Sequence, residues 1–358
     1  GPVVVWGGWG LREFYESSKY PDLGIVAIND VADIKTLAHL TRYDSTHGRF
    51  AGSVVETDGA LVINDDHILV SNTDDLAQLP WAELNIDLVM ECSGAFTDRA
   101  GAQQHLDRGA AKVLFSQPAE GDVDATLVYG INHTLLPETA EIISNASCTT
   151  NCVVPVLKAL DEALQIEAGV ITTLHSAMND QPVIDSYHHN DLRKTRSAMQ
   201  SIIPVDTELA KGIARILPEL SGKLAAQAIR VPTVNVSAID LTVTVKKATA
   251  ADAVNGVIRE ASGHLPENIL GYTDEPLASC DFNHDLRSAI VDLNQTRVAG
   301  TKLVKLLICS ITSGPMPTVC WMLRNISIRE TLAKSRKLLT TGSESGSKPG
   351  SGKTIDDI

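Results

Sequence analysis

Short apolar runs alternate with amphipathic stretches along the first part of the chain. Residues 24–28 read as a buried strand ending in Asn29-Asp30, and a helix rich in Ala and Leu follows over 31–42. Residues 54–63 predict a hairpin turning at Asp58-Gly59. Residues 88–92 form a second buried strand closed by Ser93-Gly94, 98–109 a polar-faced helix, 112–116 a further strand and 141–143 a short one. Residues 11–19 predict a short amphipathic helix, while residues 1–10 fit no clear element. Strand and helix in this rhythm argue for an α/β fold whose parallel sheet is wound on both faces.

The pattern then changes. Residues 169–175 read as a strand, and a long polar stretch rich in Asp, Asn, His and Arg fills 176–201. A helix over 207–217, strands over 225–231, 237–247 and 287–292, and a helix over 250–262 complete this half. It predicts a mixed or antiparallel sheet with helices on one face. The boundary falls just before Cys148, giving domains at 1–147 and 148–308 and a tail at 309–358.

Composition narrows the function classes. The chain has 358 residues and a formal net charge of −14, with no basic run before residue 330, which argues against a nucleic-acid partner. Six Cys lie at irregular spacings and form neither a zinc knuckle nor a Cys-x-x-Cys, so no metal is expected and a reduced, cytoplasmic protein is. No signal peptide is visible, and no apolar run reaches the ~18 residues of a membrane span.

The chemistry concentrates between residues 144 and 152, Ser-Asn-Ala-Ser-Cys-Thr-Thr-Asn-Cys. Cys148 lies where a strand hands over to a helix N-terminus, which offers unpaired N–H groups and the positive end of a dipole. The thiol pKa is therefore expected to fall from its usual value of about 8.5. Ser147, Thr149 and Thr150 can donate hydrogen bonds to an anion or a developing oxyanion. A buried cysteine in a well-capped helix is the bland alternative, and these polar neighbours argue against it. His175, ending the strand over 169–175, is the natural base, since Cys–His pairing activates thiols. Thr207 opens a helix, a position suited to anions, Arg230 precedes Val231-Pro232-Thr233, and Arg193, Lys194 and Arg196 add local positive charge that can hold a phosphate.

Residues 144–151 closely resemble the active-site signature of the glyceraldehyde-3-phosphate dehydrogenases. His-Ser-Ala-Met-Asn-Asp-Gln (175–181), Ser-Ile-Ile-Pro-Val-Asp-Thr (201–207) and Arg-Val-Pro-Thr-Val-Asn-Val-Ser-Ala-Ile-Asp-Leu (230–241) fit the same family. The resemblance covers about residues 11–308. Its details are most similar to the branch acting on erythrose 4-phosphate: Met178 stands where the glycolytic enzymes carry a phosphate-binding Thr, and Val205-Asp206 and Glu208 replace their Thr-Thr and Gly. The resemblance implies a Rossmann-type dinucleotide domain plus a catalytic domain. It also implies NAD as cofactor, a small phosphorylated aldehyde as substrate and a homotetramer in which the 176–201 loop faces a neighbour's cofactor. Cys148 and His175 would be catalytic, Ser147, Thr149, Lys194, Thr207, Glu208 and Arg230 substrate-binding, and Asp30, Gly94 and Ser116 cofactor-binding. Lys194 replaces a family Arg, keeping charge and losing the bidentate fork, in a loop one residue longer near His188 and His189. Two other readings stand beside this one: a phosphorylating glyceraldehyde-3-phosphate dehydrogenase, and a non-catalytic remnant.

Both ends depart from the family. Of the Gly-x-Gly-x-x-Gly turn only Gly7 matches, and the other two positions fall on Pro2 and Val4. After Lys305 the family continues to Asp-Asn-Glu-Trp, whose Asn holds the nicotinamide amide. Written GAT AAC GAG TGG and read one base later, those codons give Ile-Thr-Ser-Gly, the residues at 311–314. A frameshift near residue 308 is the expectation, with weakened NAD binding, an unstable or inactive chain and a disordered Gly/Ser/Lys-rich segment at 340–353 as its consequences.

Overall fold

The computed structural model describes residues 2–6, 9–17, 23–188 and 191–310. The expectations placed on Gly7, His189 and residues 311–358 lie outside these.

Strand β1 (Pro2–Trp6) leads into helix α1 (Trp9–Ser17), strand β2 (Gly24–Asn29) and helix α2 (Ile34–Arg42). The antiparallel run β3 (Val54–Thr57), β4 (Ala60–Ile63) and β5 (Asp66–Ser71) follows, then β6 (Leu88–Glu91), helix α3 (Arg99–Asp107), β7 (Val113–Phe115), β8 (Ala125–Thr126) and β9 (Ile142–Ser144). These strands form one sheet in the order β8-β9-β7-β6-β1-β2-β5-β4-β3, parallel from β8 through β5. Successive residues go to opposite faces, as the two-residue period of a strand requires. Leu88, Met90 and Leu114 pack with Leu11, Phe14 and Leu37 of α1 and α2, whereas Val89, Val113 and Phe115 pack with Trp81 and Ala102 on the other side. Both faces are covered, as the alternation predicted.

Residues 1–10 were expected to form no element, and here the structure corrects the sequence reading. β1 is the central strand, paired in parallel from Pro2↔Gly24 to Trp6↔Asn29 on one side and from Val3↔Leu88 to Trp6↔Glu91 on the other. Because β2 and β6 flank β1, the chain order reverses there. That switch point opens a crevice at the carboxyl ends of the strands.

Helix α4 (Cys148–Leu164) joins this sheet to a second one. Its partners are β10 (Ile166–His175), β11 (Ile203–Val205), helix α5 (Leu209–Ile216), β12 (Leu224–Arg230), β13 (Ser237–Val245), helix α6 (Ala251–His264), β14 (Leu270–Thr273), β15 (Ala289–Asp292), β16 (Arg297–Ala299) and β17 (Leu303–Ser310). The sheet order is β11-β12-β10-β13-β17-β15-β14, with β16 beside β17. It is mixed: β10 runs parallel to β12 and antiparallel to β13. Ile239, Leu241 and Val243 of β13 and Val304, Leu306 and Ile308 of β17 share one core with Val156 and Leu160 of α4, Ile213 of α5 and Ile258 of α6. Helices thus cover one face, and the alternating residues of β13 are only half-buried.

Several boundaries differ from the sequence reading. The strand read from residue 169 starts at Ile166. The helix read from Thr207 starts at Leu209, with Glu208 at its N-cap. β17 runs through Ser310, which pairs with Ser237, so the first two residues of the expected tail belong to the sheet.

Candidate active site

Ser147 caps α4. Its Oγ accepts from the Thr150 amide at 3.0 Å and bonds the Thr149 and Thr150 hydroxyls at 3.0 and 2.7 Å. Just before it, Ala146 has φ +55°, a left-handed conformation that costs a non-glycine residue roughly 1–2 kcal/mol. The Asn151 amide holds this turn closed by donating to the Asn145 carbonyl at 2.7 Å and the Ser147 carbonyl at 3.0 Å. The Asn145 N–H donates to Phe115 in the first sheet at 3.0 Å. Cys148 is thereby fixed as the first residue of the helix, at the seam between the sheets.

The parallel register of β10 and β12 sets His175 directly beside Arg230 at the carboxyl ends of the two strands. His175 Nε2 lies 3.9 Å from Cys148 Sγ. Its Nδ1 lies 2.8 Å from the Ser176 carbonyl and 2.6 Å from Arg230 Nη1. Burial first, then the charge of Arg230, drives the His175 pKa down to about 4, so the ring is neutral near pH 7. Arg230 is itself half-buried, and its Nε–H finds no acceptor among the described residues. A buried donor left unpaired is a place for an anion.

The thiol does not behave as the helix terminus alone predicted. Burial pushes the Cys148 pKa up, and the Thr149 amide and the Arg230 charge pull against this without reversing it. The sequence showed the dipole and not the depth. Cys148 therefore needs a base to lose its proton, and a neutral imidazole faces it.

The other residues singled out from the sequence divide. Lys194 reaches this group through Asp180, accepting partner of its Nζ–H at 2.8 Å. Burial raises the Asp180 pKa, but Lys194 and the charge of Arg230 outweigh it and hold the carboxyl below its usual value. Asp180 was not picked out by sequence reasoning, although it lies within the 175–181 motif; a loop residue carries no periodic signal. Thr207 is half-buried, its Oγ1 accepting from the Leu209 amide at 3.2 Å. Glu208 is turned to Lys211 on an exposed face, 2.5 Å away, so no contact ties it to the cysteine and histidine.

Asp30, Gly94 and Ser116 follow β2, β6 and β7, and so share the carboxyl edge of the parallel sheet beside the switch point. Asp30 Oδ1 accepts from Ala32 N–H at 2.9 Å. Gly94 has φ +72° and open space where a Cβ would stand. Ser116 Oγ bonds the Gln117 amide oxygen at 2.8 Å. A carboxylate for ribose hydroxyls, a glycine that lets a ligand approach and a hydroxyl near the same edge form a set that fits a dinucleotide.

Comparison with known families bears on these features together. Residues 6–99 match the glyceraldehyde 3-phosphate dehydrogenase NAD binding domain, and residues 147–309 match the glyceraldehyde 3-phosphate dehydrogenase C-terminal domain. The chain belongs to the glyceraldehyde 3-phosphate dehydrogenase family. Its first sheet is that family's NAD-binding unit, NAD is its cofactor, and it is an NAD-dependent dehydrogenase in kind. Cys148 and His175 lie within the part that matches the C-terminal domain, and Asp30 and Gly94 within the part that matches the NAD binding domain. Among the described residues no group of three or more His, Cys, Asp or Glu could hold a metal, and no helix is long and apolar enough to cross a membrane.

Proposed function

We propose that this chain oxidises D-erythrose 4-phosphate to 4-phosphoerythronate, a step towards pyridoxal phosphate, through a thioester on Cys148 that water hydrolyses. The observation that carries this reading is the approach of His175 Nε2 to Cys148 Sγ at 3.9 Å with Arg230 beside the ring. The Cys148 sulfur adds to the aldehyde carbon as His175 takes up the thiol proton, giving a hemithioacetal. His175 gives that proton to the adduct's oxygen, which makes the hydroxyl and returns the ring to its neutral form, and then takes the hydroxyl proton back as the carbon loses a hydride and becomes the thioester carbonyl. NAD, when bound, supplies the hydride acceptor, with Asp30, Gly94 and Ser116 as the residues that would hold it. Ser147 and Thr149 are positioned to donate to the oxyanion. Arg230, Thr207 and Lys194 bind the phosphate, Arg230 through N–H groups that suit a phosphate fork.

Hydrolysis by water is favoured by Met178. Its thioether offers no donor to an incoming inorganic phosphate, and its own amide is bonded to the Gln181 side chain at 3.1 Å. Assembly into a homotetramer is favoured by the loop that follows: Val183, Ile184, Tyr187 and Leu192 are all more than three-quarters exposed, an apolar surface that a second copy would cover. The free state of Cys92, Cys148, Cys152, Cys280 and Cys309 suits a reducing cytoplasm. The domain boundary is taken at Cys148, where α4 leaves the first sheet.

The test is NADH formation by the purified chain on erythrose 4-phosphate and on glyceraldehyde 3-phosphate, each with and without inorganic phosphate. Faster, phosphate-independent oxidation of erythrose 4-phosphate is expected. A requirement for phosphate with preference for the triose would assign the phosphorylating reaction instead. Failure to bind NAD in a titration would mark the chain as a remnant.

A further inference from the structure

His175 Nδ1 has two neighbours that cannot both be satisfied. The Ser176 carbonyl, 2.8 Å away, only accepts. Arg230 Nη1, 2.6 Å away, only donates, because a guanidinium in a protein stays protonated. A proton on Nδ1 serves Ser176 and leaves Nε2 with its lone pair towards Cys148. A lone pair on Nδ1 serves Arg230 and puts the proton on Nε2, where the ring can donate to sulfur but cannot take a proton from it. The backbone around the ring is held. The Ser176 N–H donates to Ser237 Oγ at 3.1 Å, and Val231 N–H donates to the His175 carbonyl at 2.8 Å. The part that can move is the Arg230 side chain, which also stands 3.4 Å from the Ser176 carbonyl and keeps a buried Nε–H without an acceptor among the described residues.

We propose that Arg230 sets the tautomer of His175 and that a phosphate monoester resets it. Without an anion, Arg230 donates to Nδ1 and the ring carries its proton on Nε2. When a phosphate draws the guanidinium away, the Ser176 carbonyl takes the Nδ1–H and Nε2 becomes a base. One proton leaves Nε2 and one joins Nδ1 by exchange with water, so the net charge is unchanged. The charged groups facing this pair are Asp180 and Lys194 from the 176–201 loop, and Cys148 from α4 faces the other ring nitrogen. The inference rests on reading Cys148 and His175 as the reacting pair. It makes Arg230 a positioning residue as well as an anion ligand: the base is assembled only when a phosphorylated substrate is present.

The full chain labelled with 15N in its histidine rings tests this by long-range proton–nitrogen correlation, the His175 signals being those missing from His175→Asn. In phosphate-free buffer the Nε2–H tautomer is expected in about tenfold excess or more, the scale of one charge-assisted hydrogen bond. Saturating glycerol 3-phosphate, a monoester with no aldehyde to oxidise, should shift the ring to Nδ1–H. Arg230→Met should hold Nδ1–H with or without it, and the wild-type titration decides alone if that variant does not fold. An Nδ1–H ring in phosphate-free buffer, or a ring that glycerol 3-phosphate leaves unchanged, would overturn the proposal. Lack of turnover on every aldehyde would remove the reaction and leave the ring measurement standing, so the two failures are distinguishable.

Discussion

Two buried histidines in this chain meet their neighbours in opposite ways. His105, on α3, is fully buried and bonded at both nitrogens. The Trp81 indole N–H donates to its Nδ1 at 3.1 Å, and its Nε2 lies 3.3 Å from Glu91 Oε2. An indole only donates and a carboxylate accepts, so one tautomer satisfies both. The other Glu91 oxygen accepts from the Ser93 amide at 2.7 Å and the Ser93 hydroxyl at 2.5 Å, which fixes the turn leading to Gly94. His175 also has a partner at each nitrogen, but those at Nδ1 demand opposite protons. A polar network that agrees with itself holds a fold together, and one that disagrees leaves a group free to change state.

The comparison breaks most visibly in activity. Cys148→Ala should abolish aldehyde oxidation, and His175→Asn should lower kcat by about 10²–10⁴, the range of a lost general base. Neither should move the urea midpoint much, since the ring sits in a contested site. Glu91→Ala should do the reverse on stability. It strands the His105 Nε2–H in a fully buried place, at about 1–3 kcal/mol in urea unfolding. Should His175→Asn destabilise the chain as much as Glu91→Ala, the contrast between the two networks would be gone.

How much of this could be read from the sequence differs by residue. Cys148, His175 and Arg230 were legible because each ends or begins an element whose period is clear, and chemistry at an element's end faces the seam. Asp30, Gly94 and Ser116 were legible for the same reason, as residues just past buried strands. β1 was missed because Pro2 and a short valine run show no alternation, and the glycines that follow, Gly7, Gly8 and Gly10, do not keep the spacing of the family turn. The strand over Leu303–Ser310 was missed although Val304, Leu306 and Ile308 alternate with Lys305, which pairs with Asp240 across the sheet. Asp180 and the link from Glu91 to His105 could not be seen, since they join residues with no shared period. The sign of the Cys148 shift was out of reach as well: a helix terminus is a local feature, and burial is set by the whole fold.

The last contrast is in acid, and its effect is the smallest. The folded His175 pKa of about 4 lies below the unfolded value of about 6.5. Between these values the unfolded chain binds a proton that the folded chain refuses. This contribution to stability is therefore fully present above about pH 6.5, declines as the pH falls, and is lost through pH 4. One such group adds a slope of about 1 kcal/mol per pH unit. Urea unfolding of wild type and His175→Asn at several pH values across this window should show the wild type losing stability faster by that amount. Glu91→Ala, weaker at every pH, should keep the wild-type slope because it leaves His175 and Arg230 in place. Equal slopes for wild type and His175→Asn would mean that the ring takes up its proton as readily in the folded chain as in the unfolded one. Burial and the Arg230 charge would then not be what keeps the ring neutral between pH 4 and 6.5, and the contested site would lose its energetic signature.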